Sequence, residues 1–229
     1  MLALKLGLSL NNLKSSSGGW TPNSDSSVVA WYQYDTDIVF DPSTSLVSAW
    51  NDSANNHDMV QLDVSEQPFN FPGAYAGIIF DGIGDNLQTA VQMSLSGAFT
   101  IGIKCKIDAT GKVLIADNTT TNEMLKITSS NNLRVKASIT DIADLGLASG
   151  TFGDGYLVVT RDASNNMGFW HNGVDQNVSV TLSGTLDIDA IGVRKTDTNP
   201  FDGTMYEIAI FSSESTALTT NVNNRFSTL

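Results

Sequence analysis

Phe99-Thr-Ile-Gly-Ile-Lys-Cys-Lys-Ile107 and Met167-Gly-Phe-Trp-His-Asn-Gly-Val174 decide the fold. In the first stretch Phe99, Ile101, Ile103, Cys105 and Ile107 occupy alternate positions. That is the period of a strand with one buried face. The second runs into Asn172-Gly173, a pair that tolerates the positive φ required at both centres of a type I′ hairpin turn. Working outward, strands are predicted over residues 28–34, 46–51, 77–80, 86–89, 113–116, 124–128, 133–138, 156–161, 174–180, 186–193 and 204–211. Residues 35–41 read as a turn-rich excursion and 52–58 as a polar loop. Turn signals recurring every ~8–12 residues indicate a sandwich or barrel. One helix is predicted over residues 216–226, with Leu218, Val222 and Phe226 stacked at i, i+4 and i+8.

Composition narrows the function classes. The chain has 229 residues, a length that suits one β-sandwich. Its 24 acids and 12 bases give a net charge of −12, which repels phosphate backbones and argues against nucleic acid as a partner. Most of the acids are Asp, a turn former and a hard-cation ligand; only Glu66, Glu123, Glu207 and Glu214 are Glu. Cys105 is the single cysteine and lies in an apolar-alternating stretch, so it reads as a buried, inert thiol. No apolar run reaches the ~18 residues of a membrane span.

The first ten residues alternate Leu2, Leu4, Leu6, Leu8 and Leu10 with other residues. This is a strand pattern; a secretory leader would place its charge ahead of a continuous apolar run, whereas Lys5 sits mid-segment. Residues 11–19, rich in Asn, Ser and Gly, read as a flexible linker. The domain division is therefore 1–19, a docking strand and linker, and 20–229, the sandwich. The five leucines either form an edge strand of their own sandwich or add to the sheet of a partner.

Asn55-Asn56-His57-Asp58, Phe80-Asp81-Gly82-Ile83-Gly84-Asp85-Asn86-Leu87, Arg161-Asp162 with Phe169 through Gly173, and Ile191-Gly192 with Phe201 through Phe211 together resemble the ordered signatures of laminin G-like domains. The resemblance implies an all-β, two-sheet antiparallel jelly-roll β-sandwich of concanavalin A-like type, with an extended N-terminal arm and one short C-terminal helix. The whole chain also resembles small structural proteins of marine tailed phages. That second resemblance implies a virion protein (capsid decoration, appendage or fibre component), docked on other virion proteins through residues 1–19. It also implies a homo-oligomer, and an adhesin contacting host-surface glycans is the alternative.

No catalytic residues are assigned, and the chain is expected not to be an enzyme. Glucan-cleaving members of the wider fold carry Glu-x-Asp-x-x-Glu on one strand, and this sequence has no such motif. Asp187 and Asp189 lie two apart on a strand and read as solvent-facing. His57 and His171 lack a nucleophile elbow nearby. His57 reads as bonded within its loop and His171 as exposed. For Ca²⁺, which takes six to eight oxygens, the candidate ligands are Asp52, Asn55, Asp58, Asp81 and Asp85, provided their loops meet. Turn formation by the same Asx residues is the competing reading. Sugar binding needs an aromatic platform with polar neighbours. Trp31 and Trp50 read as core and Trp20 as an anchor for the linker. Trp170, His171, Asn172 and His57 are the candidate ligand-binding residues.

Overall fold

A computed structural model describes residues 19–33, 35–71, 77–120, 124–148, 150–194 and 199–229. The leucines at positions 2, 4, 6, 8 and 10 lie outside the described residues. In chain order the strands are β1 (Val28–Tyr32), β2 (Ile38–Phe40), β3 (Val47–Trp50), β4 (Met59–Val60), β5 (Phe69–Phe71), β6 (Gly77–Asp81), β7 (Leu87–Leu95) and β8 (Phe99–Ile107). They continue as β9 (Val113–Ala116), β10 (Met124–Ile127), β11 (Asn132–Lys136), β12 (Ile142–Gly146), β13 (Asp154–Arg161), β14 (Met167–His171), β15 (Val174–Asp175), β16 (Leu186–Ile191) and β17 (Asp202–Phe211). One helix, α1 (Thr216–Ser227), closes the chain.

The strands form two antiparallel sheets. One runs β15-β14-β13-β8-β17-β6-β5, with β1 also paired to β17; the other runs β12-β11-β10-β9-β16-β7-β4-β3-β2. Alternation sets what each face does. Phe99, Ile101, Ile103 and Cys105 point into the main core with Leu157, Val159, Ile208 and Ile210. Burial pushes the Cys105 thiol up to about 12, so it stays protonated and inert. The opposite face of the first sheet is also covered. Trp31, Tyr156, Val158, Ala209 and Phe211 make a second core with Leu218, Val222 and Phe226 of α1. Trp50 and Trp31 are both buried in core as expected, Trp50 in the main core and Trp31 in this second one beneath the helix.

Arg161 is fully buried on β13. Its guanidinium donates to the carbonyls of Leu95, Gly97 and Gly184 and lies over the Phe99 ring at 4.8 Å. The guanidinium, which is the buried group, is thereby satisfied by carbonyls at the end of β7 and before β16.

Several expectations need correction. The excursion at 35–41 contains β2, and β4, β5 and β12 carried no sequence prediction. The strand expected over 174–180 stops at Asp175, where Asn177 takes φ +52° and breaks the extended run. Asp189 is buried rather than solvent-facing, and desolvation raises its carboxyl above the usual range.

Candidate ligand groove beside Trp170

The β13–β14 hairpin and α1 build a groove on the outer side of the first sheet. Asn172 and Gly173 take φ +51° and +77°, the positive-φ pair expected of a type I′ turn. Asn172 Oδ1 accepts from Tyr156 N at 2.8 Å, so this side chain is spent locking the turn rather than facing a ligand. Two residues back along β14, Trp170 points to the α1 side. Gly168 leaves room for it: a Cβ there would sit 2.7 Å from Trp170 Cζ3.

On the other wall, Ser215 caps α1 by accepting from Leu218 N at 3.1 Å. Leu218, Val222 and Phe226 face the sheet. The adjacent stripe presents Thr219, Thr220 and Asn223 to Trp170, with Glu214 at the helix entry. The groove encloses about 330 Å³. Thr219 Oγ1 and Asn223 Oδ1 are buried and have no hydrogen-bond partner. An unsatisfied buried polar atom costs ~1–3 kcal/mol; the Thr219 hydroxyl can donate or accept, and Asn223 Oδ1 can accept, should a partner enter. Asn223 Nδ2 is already engaged with Thr219 O at 2.9 Å, which fixes the amide's orientation.

The other sequence candidates lie elsewhere. His171 faces inward against Phe152, with ring centroids 5.3 Å apart in an edge-on contact; it is half-buried, not exposed, and burial lowers its imidazole below the usual value. His57 Nδ1 lies 3.3 Å from Asp52 Oδ2, within its own loop as expected. Of the four ligand-binding candidates, the groove thus contains Trp170 alone. Thr219 and Asn223 were missed, although Thr216, Thr219, Thr220, Asn223 and Asn224 form a polar i, i+3, i+4 stripe beside the apolar one, a signal legible in the sequence.

The calcium candidates divide between two loops and serve backbone there. The Asp52 carboxylate accepts from the N–H groups of Trp31, Ala54, Asn55 and His57. Asn55 Nδ2 donates to Val28 O and Val29 O, and Asp58 Oδ1 accepts from Asp52 N. Asp81 Oδ1 accepts from the N–H groups of Ile83, Gly84 and Asp85, while Asp85 Oδ2 accepts from Asp81 N. Desolvation raises the Asp85 carboxyl to about 6. Among the described residues no group of three or more His, Cys, Asp or Glu side chains converges as a metal site would require. The two loops therefore do not meet in one calcium-binding set, and the Asx-turn reading accounts for the contacts present.

A larger cavity of about 570 Å³ lies over β4 and β7. Of its lining groups, Gln61 Nε2 already donates to Glu66 Oε2 at 3.1 Å, and also to Asn86 Oδ1 at 2.8 Å. It offers no aromatic platform, since Val60, Leu62 and Val91 are its large apolar groups. Among the described residues no helix is long and apolar enough to cross a membrane.

No family model and no curated protein matches the sequence. Solved structures do. A mutant of Trypanosoma rangeli sialidase displaying trans-sialidase activity superposes with TM-score 0.57 at 13% identity, over 88% of this chain and 33% of that one. Domain 4 of AbnA, a GH43 extracellular arabinanase from Geobacillus stearothermophilus solved with arabinotriose, gives 0.51 at 14% identity, over 87% of this chain and 98% of that one. The W1252A mutant of HCR D/C VPI 5995 gives 0.59 at 13% identity, over 91% and 53%. The chain therefore spans about a third of the sialidase it matches. At these identities the likeness is one of fold: a two-sheet antiparallel β-sandwich.

Proposed function

We propose that this chain is a carbohydrate-binding β-sandwich that holds a glycan in the groove between Trp170 and α1 without cleaving it. One observation carries the reading: an indole and two unpaired buried polar atoms, Thr219 Oγ1 and Asn223 Oδ1, line the same groove. A pyranose has apolar C–H faces and a rim of hydroxyls. The indole stacks on the first, and the orphaned hydroxyl and amide oxygen pair with the second. The sandwich likeness to an arabinanase domain solved with arabinotriose is in keeping with this role. The charge inventory of the groove supports binding rather than hydrolysis. Glu214 is the one carboxylate among the groove's lining residues, whereas glycoside cleavage ordinarily uses a pair.

Trp170→Ala is expected to weaken binding by ~2 kcal/mol, the loss typical when an aromatic anchor is truncated. A panel of neutral oligosaccharides identifies the ligand, and titration calorimetry on wild type and variant reads the loss. The melting temperature of Trp170→Ala confirms that the sandwich persists. A wild-type chain that binds nothing on the panel overturns the proposal, as does a variant that binds equally well.

The alternating leucines at 2, 4, 6, 8 and 10 favour a second, compatible reading. Residues 1–19 dock the sandwich onto other proteins of a phage virion, in several copies, with the groove turned toward host-surface glycans. Deleting residues 1–19 is expected to abolish incorporation into particles, measured by quantitative mass spectrometry of purified virions. Unchanged incorporation would rule the docking role out.

A further inference from the structure

α1 has a groove along each flank. The helix lies across β13 and β8, and the strand order β14-β13-β8-β17 leaves β14 on one side of it and β17 on the other. Trp170 rises from β14 and walls the groove already described. On the far side Trp20 packs on Phe211 of β17, with ring centroids 6.1 Å apart, and stays only partly buried. Its indole walls a second groove of about 490 Å³, lined along the helix by Asn221, Asn224, Arg225 and Thr228.

Asn224 lines both grooves. At about 3.6 residues per turn, position 224 stands opposite the stripe of Leu218, Val222 and Phe226 that seats the helix, and its side chain is exposed. It forms the crest between two indoles. In the second groove Arg225 is already engaged by the Glu207 carboxylate, and Thr228 Oγ1 donates to Arg225 O. Asn221 and Asn224 bring side-chain amides, each with donors and an acceptor, which suit the hydroxyl rim of a sugar. With its guanidinium taken by Glu207, the second groove favours a neutral sugar over an acidic one, as does the net charge of −12.

We infer, on the premise that the Trp170 groove holds a glycan, that the Trp20 groove holds the same molecule further along: a linear neutral oligosaccharide crosses α1 over Asn224 and stacks on both indoles. A helix with its side chains is about 10–12 Å across, a span that one sugar ring cannot cover and a short chain of rings can. The second stacking contact is intramolecular once the first is made, so it adds affinity only to chains long enough to bridge.

Titration calorimetry of the full chain against malto-, cello- and arabino-oligosaccharides, each from disaccharide to hexasaccharide, tests the span. In the series that binds, affinity is expected to step up about tenfold at the length that bridges the helix, as an added aromatic contact would give, and to level off beyond it. Trp20→Ala should erase the step and leave affinity for the shortest binder unchanged, whereas Trp170→Ala should weaken every length. Because Trp20 also packs on Phe211, Asn221→Ala serves as a second variant. Alanine is a better helix former than asparagine, so a reduced step there does not come from a loosened helix. Affinity that is independent of length, or a step that survives either variant undiminished, overturns the bridge and leaves the Trp170 groove standing. Absence of binding at every length in all three series overturns both.

Discussion

Replacing Gly102 by valine is expected to unseat α1 and destabilise the protein by ~3 kcal/mol, the upper end of ordinary overpacking. Gly102 lies in the middle of β8, paired with Val158 on one side and Ala209 on the other. The helix crosses directly above it. A Cβ at this position would fall 2.7 Å from Val222 Cγ1 and closer still to the edge of the Phe226 ring. Both side chains are buried, Phe226 fully, so neither can swing into solvent. The strand cannot retreat either, because Ile101 and Ile103 on its other face are packed in the main core. The helix must therefore rise. As it rises, Thr219 and Asn223 leave the vicinity of Trp170, so the proposed glycan binding should fall together with stability. Urea denaturation gives the first quantity and calorimetry the second. Truncating Phe226 in the Gly102→Val background should recover part of the loss, a coupling that a double-mutant cycle isolates. A valine variant with wild-type stability and binding would mean that α1 is not seated as described.

Gly102 also shows what could be read in the sequence and what could not. The alternation from Phe99 to Ile107 placed Gly102 on the outward face of its strand. It gave no sign that a helix lay against that face, because strand period reports only which residues share a side. The helix itself was legible from Leu218, Val222 and Phe226, yet nothing in those residues names their partner. Trp31 was rightly read as core, but the sequence did not say which of the two cores it joins. Apolar neighbours mark it as buried, but only tertiary contacts tell the main core from the outer layer. Short strands such as β4 and β12 escaped because their pairing comes from neighbours in the sheet rather than from local composition. The hairpin at Asn172-Gly173 was legible because its turn chemistry is local. Of the groove, Trp170 could be singled out as an aromatic beside that turn. Thr219 and Asn223 belong to a polar stripe that the sequence does show, but that this stripe faces Trp170 depends on how α1 docks on the sheet.

Glu207→Ala is expected to cost ~3–5 kcal/mol, as when one member of a buried ion pair is removed and the other is left without its counter-ion. Glu207 is fully buried on the outward face of β17. Its carboxylate accepts from Trp31 Nε1 at 2.8 Å, from Arg225 Nη2 at 3.0 Å and from Arg225 Nε. The Arg225 guanidinium in turn lies over the Trp31 ring, 4.9 Å from its centroid. Three elements, β1, β17 and α1, are thus joined through one carboxylate. Alanine would strand both the indole N–H and most of the guanidinium away from water. Glu207→Gln keeps one acceptor oxygen and should cost less. The informative variant removes both charges: Glu207→Leu with Arg225→Met fills the space with apolar groups, and stability should return to near the wild-type value. Glycan binding then decides what the pair contributes. Recovery of stability with a persistent loss of affinity would show that the ion pair sets the rotation of α1, and through it the aim of Thr219 and Asn223 into the groove. Recovery of both would reduce the pair to a fastener. If Glu207→Ala leaves the denaturation midpoint within experimental scatter of the wild type, the carboxylate does not bear the helix at all.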